Sequence, residues 1–519
     1  MNIKNRLKLA AKLTAENLKS RLQKHPDRRL QIPWNFAQVG MLIFPLIPIL
    51  GALSLFLGLA GTCKQNFRQI SRRPLNRGFA ILSALLVITA VFANNRIEAF
   101  LGLCNFLPFF ILFAAFSNLI QTPAQLRQLS WMIVISSIPV IILGLGQQFL
   151  GWSDIDDRLQ PIFGWVLEPK GNPPGRMASV FMYANILACY LTIAFILALG
   201  LWMEEGRRQK AEGRRQKAEG RRQKEIINEL QIPNFQLPIP NSQFPITAFQ
   251  LPLSNYRFLF LSFAAIGNAV ALIFTNSRNA WGLAVVAVLA FALYAGYKKL
   301  LAAVFGVATT VFLSAFGPEP LRQYLRRIIP AFFWARLTDE MFPNRPTATL
   351  RTTQWEFAWS MTQQRPWTGW GLRNFTPLYQ AQMQEWLGHP HSLILMLTAE
   401  TGIPATLLLF GLVGWVLARG VLLLANWPLF SVDIKPEQIA TQEVAANALV
   451  FHQNSISSIT NPVVGQEVRA ADRLIFFSYL LAFAACTLFN TVDVTLFDFR
   501  LNTTSWLLLA AICGVSQRE

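Results

Sequence analysis

The chain has 519 residues, 53% of them hydrophobic and only 14% charged, with a formal charge of +19; its mean hydropathy is +0.37. A soluble domain carries nearer a quarter charged residues, so this composition excludes an ordinary soluble enzyme. The basic residues lie mostly between apolar segments, which turns the charge into a statement about membrane topology and away from nucleic acid.

In a bilayer every backbone polar group must be satisfied inside a helix or a closed barrel. The apolar runs are long and lack period-two alternation, which selects helices. They fall near 39–61, 78–93, 98–117, 131–150, 178–202, 258–275, 279–296, 299–316, 403–425, 474–491 and 501–515. The expected fold is an all-α polytopic membrane protein with about ten to twelve transmembrane helices. Cys104, Cys189, Cys486 and Cys513 sit inside these runs and Cys63 at the end of one, spaced like neither a zinc site nor a disulfide framework.

The N-terminal arm, residues 1–38, carries Lys4, Arg6, Lys8, Lys12, Lys19, Arg21, Lys24, Arg28 and Arg29 and is expected in the cytoplasm. The loop after segment 39–61 is equally basic, with Lys64, Arg68, Arg72, Arg73 and Arg77. One crossing cannot join two cytoplasmic ends, so 39–61 is expected to be a tight or re-entrant hairpin turning near Pro45 and Pro48, with one interfacial segment as the alternative. From there the loop charges alternate consistently through a first set of transmembrane helices, 39–316. Residues 317–390 are placed on the periplasmic side, and a second helical set, 391–515, follows with a cytoplasmic loop at 426–473.

Within the first set, 203–256 reads as a low-complexity cytoplasmic insertion. Residues 205–225 repeat Glu-Gly-Arg-Arg-Gln-Lys-Ala nearly three times, with no apolar seam and a Gly in each copy. Residues 231–253, rich in Pro and Asn, are expected to be irregular. The 317–390 segment has a different character. It interleaves Trp334, Trp355, Trp359, Trp367, Trp370 and Trp386 with eight arginines, more aromatic surface than a disordered loop would carry. Residues 347–364 have helical spacing, with Leu350, Trp355, Ala358 and Trp359 able to share one side, and Pro366 and Gly369 end the run. A large helical periplasmic loop is expected there.

The densest chemistry lies just after it. Only four histidines occur in the chain, and His389 and His391 are two of them, followed by Glu400. Ionisable groups at a bilayer boundary are costly to keep and are read first as functional. Gly402 and Pro404 could bend the chain enough to bring Glu400 to His391. His-x-His can also bind a metal, but no acid lies near it in sequence, so no metal and no cofactor are assigned. Three arginines approach the same face: Arg176 before a helix, Arg278 in a short turn, and Arg351 in the outer segment. The planar guanidinium fork suits phosphate oxygens, so the trio suggests a diphosphate, and one carried on a lipid could enter between helices.

Arg176 with Asn185, Thr275-Asn-Ser-Arg278, Arg351-Thr-Thr-Gln-Trp355, Pro366-Trp-Thr-Gly-Trp-Gly371 with Asn374-Phe375, and His389-Pro-His391 with Glu400-Thr-Gly402 form an ordered set. Together they resemble the O-antigen ligase and O-antigen polymerase superfamily over roughly residues 78–515. Ser392 stands where the family usually has Asn, and Asn279 where a small residue is common. Leu107-Pro-Phe-Phe110 and Gly146-Gln-Gln148 look like a cyanobacterial branch whose members have also been labelled bicarbonate transporters.

The resemblance implies glycosyl transfer at the periplasmic face of the bacterial inner membrane. The implied donor is a glycan on undecaprenyl diphosphate, and the acceptor a hydroxyl on lipid A-core, another glycan or a protein. Arg176, Arg278 and Arg351 would bind the diphosphate. His391 would orient or deprotonate the acceptor, Glu400 would hold its tautomer or serve as base, and His389 would support. The competing reading is a transporter, possibly of inorganic carbon. That reading would favour broken or polar helices at mid-membrane, whereas these candidates cluster at one rim.

Overall fold

The computed structural model describes residues 22–153, 163–229, 253–338, 340, 346–427 and 462–517. The chain folds as an all-α bundle, with helices the only regular elements among the described residues. In chain order the first helices are α1 (Gln31–Ile43), α2 (Pro48–Arg72), α3 (Pro74–Val91), α4 (Arg96–Leu103), α5 (Leu107–Leu119) and α6 (Pro123–Phe149). Then come α7 (Ala184–Glu229), α8 (Leu253–Phe274), α9 (Arg278–Ala295) and α10 (Lys298–Phe316). Four shorter helices follow: α11 (Leu321–Ile328), α12 (Ala331–Leu337), α13 (Arg351–Gln364) and α14 (Phe375–Met383). The chain ends with α15 (Leu393–Ala425), α16 (Pro462–Thr491) and α17 (Phe499–Ser516).

Nine spans among the described residues are long and apolar enough to cross a membrane. Helices α2 and α17 are not among them, being more polar at one end. In α17 the polar end comes first, with Arg500, Asn502, Thr503, Thr504 and Ser505, and all five are buried inside the bundle. The core is built around α7, whose apolar half is almost wholly buried, with α6, α8 and α16 packed against it and α5 packed on α17 beside them. Helices α9 and α10 lie at the periphery and leave most of their apolar surface outward, as lipid-facing helices do.

Residues 39–61 form the expected hairpin: α1 and α2 pack along each other and the chain turns at residues 44–47. Helix α1 begins at Gln31, inside the stretch assigned to the basic arm, because Trp34, Ala37 and Met41 provide a face that is buried in the bundle. Residues 1–21 of that arm lie outside the described residues.

The heptad repeats depart from expectation. Helix α7 does not stop at the membrane boundary but runs on through them to Glu229. Arg, Gln, Lys, Glu and Ala are all strong helix formers, enough to carry one Gly in seven residues. Arg208 pairs with Glu205 at 3.2 Å and with Glu212 at 3.6 Å, the i,i+3 and i,i+4 spacings that support a helix. The irregular stretch expected at 231–253 lies outside the described residues except for its last position, and so does most of the 426–473 loop.

Described residues of the 317–390 segment pack around a small core of their own, Phe357, Ala358, Met361, Phe375 and Tyr379, closed by Ala399 of α15. Phe357 and Tyr379 meet edge-on at 5.0 Å between ring centres, and Phe375 stacks on Tyr379 at 5.2 Å. The face of α13 turned inward is Gln354, Phe357, Ala358, Met361 and Thr362. Of the expected face, Ala358 is buried, while Leu350 and Trp359 are exposed.

Candidate functional site

Three short connections meet at one end of the bundle. The first is the tight loop before α7. Gly175 N–H donates to Lys170 O, Arg176 N–H to Pro173 O, and Met177 N–H to Phe274 O at the end of α8. Gln147 of α6 pins the next turn by accepting from Ala178 N at 3.1 Å and Ser179 N at 2.8 Å. The loop is thereby fixed to two helices, and Arg176 is aimed without depending on its own flexible stem. The Arg176 Nε donates to Thr275 O at 2.8 Å, three residues before Arg278, so the two arginine-bearing loops are one unit. Asn276 reinforces it by donating to Gly175 O at 3.3 Å. Arg278 itself is half-buried at the first turn of α9.

The second connection is the turn between α16 and α17. Asn490 accepts from Thr495 N at 2.8 Å and Leu496 N at 3.3 Å, while Asp498 caps α17 and pairs with Arg500 at 3.0 Å. Arg500 in turn donates to Val180 O at 2.6 Å, tying this turn to the Arg176 loop. At its centre Asp493 is almost fully buried.

The third connection carries His389 and His391. His391 has φ of +49°, a left-handed conformation that non-glycine residues seldom adopt and that surrounding structure must hold. Its backbone N–H donates to His389 Nδ1 at 3.2 Å, and its own Nδ1 lies 3.0 Å from Asp493 Oδ1. His389 Nε2 is 3.8 Å from the same oxygen. These contacts assign the tautomers. His389 accepts at Nδ1, so its proton sits on Nε2, facing the carboxylate. His391 donates from Nδ1, so its Nε2 keeps the lone pair.

Asn185 of α7 completes the arrangement. Its Nδ2 donates to Asp493 Oδ2 and its Oδ1 accepts from Arg176. A continuous chain therefore runs Arg176–Asn185–Asp493–His391, with His389 beside it. Burial alone would raise the Asp493 carboxyl. The hydrogen bond from His391, with the electrostatic contributions of the His391 and His389 rings, outweighs it and holds the group below its ordinary value, so it is ionised. His389 goes the other way: burial lowers it to about 4, with Asp493 opposing and His391 and Arg351 adding to the fall. Tyr183 belongs to the same place. Burial raises its hydroxyl, Asp493 adds to that, and Arg176 and Arg351 oppose it. Arg351, exposed on the first turn of α13, thus acts electrostatically on both Tyr183 and His389.

Glu400 is elsewhere. The break expected at Gly402 and Pro404 is present, with Gly402 at φ +77°, but it faces a different partner. Pro404 has no N–H to offer the carbonyl four residues back, which frees Glu400 O to accept from Gly371 N at 2.8 Å. Ile403 N donates to Pro366 O at 2.8 Å, and Ala399 O accepts from Trp370 N at 3.0 Å. The 366–371 turn thus replaces the lost rungs of α15. A Cβ on Gly402 would come within 2.5 Å of Trp367 O, and one on Gly369 within 2.4 Å of Glu400 O. The Glu400 carboxylate accepts from Phe375 N at 3.1 Å, at the N-terminus of α14, where the helix dipole favours a negative charge. Among the described residues its partners are in the outer segment and do not include His391.

The structure therefore brings Arg176, His389 and His391 together, sets Arg278 on the adjoining loop and Arg351 within electrostatic reach, and leaves Glu400 apart. Spacing along the chain does not point to Asp493 or Tyr183, and it gives Asn185 only a place near Arg176. Asp493 left one signal. It is an acid in a short turn between two apolar segments, and counting crossings puts that turn on the same side as His391. His389, His391 and Asp493 each offer a ligand atom within 4.8 Å of one another, a set that could hold a metal ion. The acid that the sequence reading lacked near His-x-His comes from 102 residues away.

Residues 262–410 match the family model described as O-antigen ligase. The match covers 149 of the 519 residues, from α8 into α15. The match supports the superfamily resemblance and, in general terms, a membrane glycosyl-transfer role. No curated protein matches the chain. The matched stretch takes in Arg278, Arg351, the 366–371 turn, His389, His391 and Glu400, whereas Arg176, Asn185 and Asp493 lie outside it. The site is thus assembled from the matched region and from both flanking parts of the chain.

Proposed function

We propose that this protein transfers a glycan from an undecaprenyl-diphosphate-linked donor to an acceptor hydroxyl, at the periplasmic face of the inner membrane. The observation that carries this reading is the Arg176–Asn185–Asp493–His391 chain. It joins a diphosphate-binding type of side chain to an imidazole through a buried carboxylate.

The acceptor oxygen attacks the anomeric carbon. The bond from that carbon to the diphosphate oxygen breaks, and its electron pair leaves on the diphosphate. The hydroxyl proton passes to Nε2 of His391, whose lone pair is exposed because Nδ1 is committed to Asp493. The imidazolium so formed lies against the Asp493 carboxylate and is stabilised by it. Arg176, Arg278 and Arg351 bind the diphosphate and offset the charge that grows on it, an electrostatic contribution fixed before the reaction begins. His389 buttresses the turn that aims His391. The domain division goes with this reading: helical sets at 39–316 and 391–515 hold the site, and the 317–390 segment covers it from the periplasm.

Complementation of an envelope-glycan defect, with polysaccharide profiles read on a gel, tests the proposal. His391→Ala should lower transfer by about 10²–10⁴-fold with normal protein levels; an unchanged profile overturns the base assignment. A cysteine introduced beside Arg351 should label from the periplasmic side, and labelling only from the cytoplasm overturns the orientation. Bicarbonate flux through reconstituted protein that persists in His391→Ala would favour transport instead.

A further inference from the structure

A cavity of about 640 Å³ opens beside the histidine turn. Gly388, next to His389, lines it, as do Met396, one turn into α15, and Phe497, four residues after Asp493. None of the three diphosphate-binding arginines is in its wall. Its uncharged groups include the amides of Asn105 and Gln380, and the indole of Trp386, which is 68% exposed. Flat apolar rings and amide groups are what a sugar recognises with its C–H face and its hydroxyls.

The charged groups of the wall are already matched. Arg373, the one cation there, pairs with Glu98 at 3.1 Å. The N-terminus of α14 could otherwise receive a phosphate, but the Glu400 carboxylate occupies it through Phe375 N. With its cation paired and that helix N-terminus filled, the wall offers an entering phosphate no free donor of opposite charge.

We propose that this cavity seats the acceptor, and that the acceptor presents a saccharide without phosphate groups; this rests on the glycosyl-transfer reading above. Donor and acceptor then reach His391 from different walls, the diphosphate from the 175–176 and 275–278 loops and the acceptor sugar from the α14 side. Glu400 gains a second consequence. By filling a helix N-terminus it withholds from the acceptor cavity the anion site that a phosphorylated sugar would need.

Photocrosslinking of the full-length protein in cells tests this, with Gln380→benzoylphenylalanine as the probe and Trp359→benzoylphenylalanine, exposed on α13 outside the cavity, as the control. Tryptic peptides are weighed after irradiation, in otherwise wild-type protein and in His391→Ala. The Gln380 peptide should carry sugar mass increments without phosphate in both backgrounds, and the Trp359 peptide should not. Adding Trp386→Ala should reduce the Gln380 adduct by about tenfold, the fall expected from losing one stacking contact. A polyprenyl diphosphate, phosphorylated sugars, a peptide, or no adduct at Gln380 overturns the proposal. If sugar adducts form while His391→Ala still builds normal polysaccharide, the cavity assignment stands and the base assignment falls.

Discussion

Asp493 and Glu400 are both buried carboxylates at the end of the bundle that carries His391, yet they sit in opposite kinds of surroundings. Asp493 receives His391, Asn185 and the Val494 N–H, and through Asn185 it reaches Arg176. Glu400 receives the backbone of Phe375 and holds a helix of the outer segment against α15. One carboxylate gathers mobile protons and charged side chains; the other gathers backbone. Nine residues of sequence separate Glu400 from His391, but a kinked helix turns it away, while the partner that does reach the imidazole arrives from another turn of the fold.

Substitutions can break this contrast. The largest effect should come from Asp493→Asn, which keeps the shape but removes the charge that fixes the His391 tautomer. Transfer should fall about 10²–10³-fold with little change in abundance, measured as polysaccharide formed per unit of membrane protein. Asn185→Ala should cost less, about tenfold to a hundredfold, because it cuts the link to Arg176 but leaves the Asp493–His391 contact; initial rates with a lipid-linked donor read this out. Gly402→Ala acts through the fold. Forcing a side chain onto φ +77° within 2.5 Å of Trp367 O should lower the melting temperature by several degrees. Glu400→Gln should leave transfer within about threefold while costing on the order of 1 kcal/mol of stability, since an amide oxygen can still accept from Phe375 N. A reversed order, with Glu400→Gln inactive and Asp493→Asn active, would exchange the two roles.

The smallest effect concerns pH. His389 is held down to about 4 from an ordinary 6.5, so it is neutral from pH 5 to 8 and cannot supply the acid limb of an activity profile there. His389→Asn should leave that limb in place. In stability the sign follows from proton counts. Between 6.5 and about 4 the unfolded chain binds the proton and the folded chain does not, so stability falls as pH drops through that window. Thermal melts at pH 7 and pH 5 should lie closer together in His389→Asn than in wild type.

Much of the fold was legible because the bilayer imposes it. Apolar runs of membrane length gave the helices, and two basic stretches flanking 39–61 required the hairpin that α1 and α2 form. The site was legible in its histidines and arginines, which are rare or conspicuous where they stand. Asp493 was not, because its role comes from the packing of α16 and α17 beside the histidine turn, and spacing along the chain carries no trace of that contact. Which side of α13 packs inward is hidden for a related reason: spacing lets Leu350, Trp355, Ala358 and Trp359 share one side, but Phe357 and Met361 fill the space beneath while Trp359 stays exposed.

Helix α7 spans 46 residues, about 69 Å at 1.5 Å per residue, more than twice the thickness of a bilayer's hydrocarbon core. Seven residues make nearly two turns, so each additional heptad lengthens the rod by about 10 Å while rotating its far end by only about 20°. Copies of the repeat can therefore be gained or lost without changing which side of the rod faces a neighbour. The repeat works as a ruler, and its copy number sets how far the end of α7 stands from the bundle.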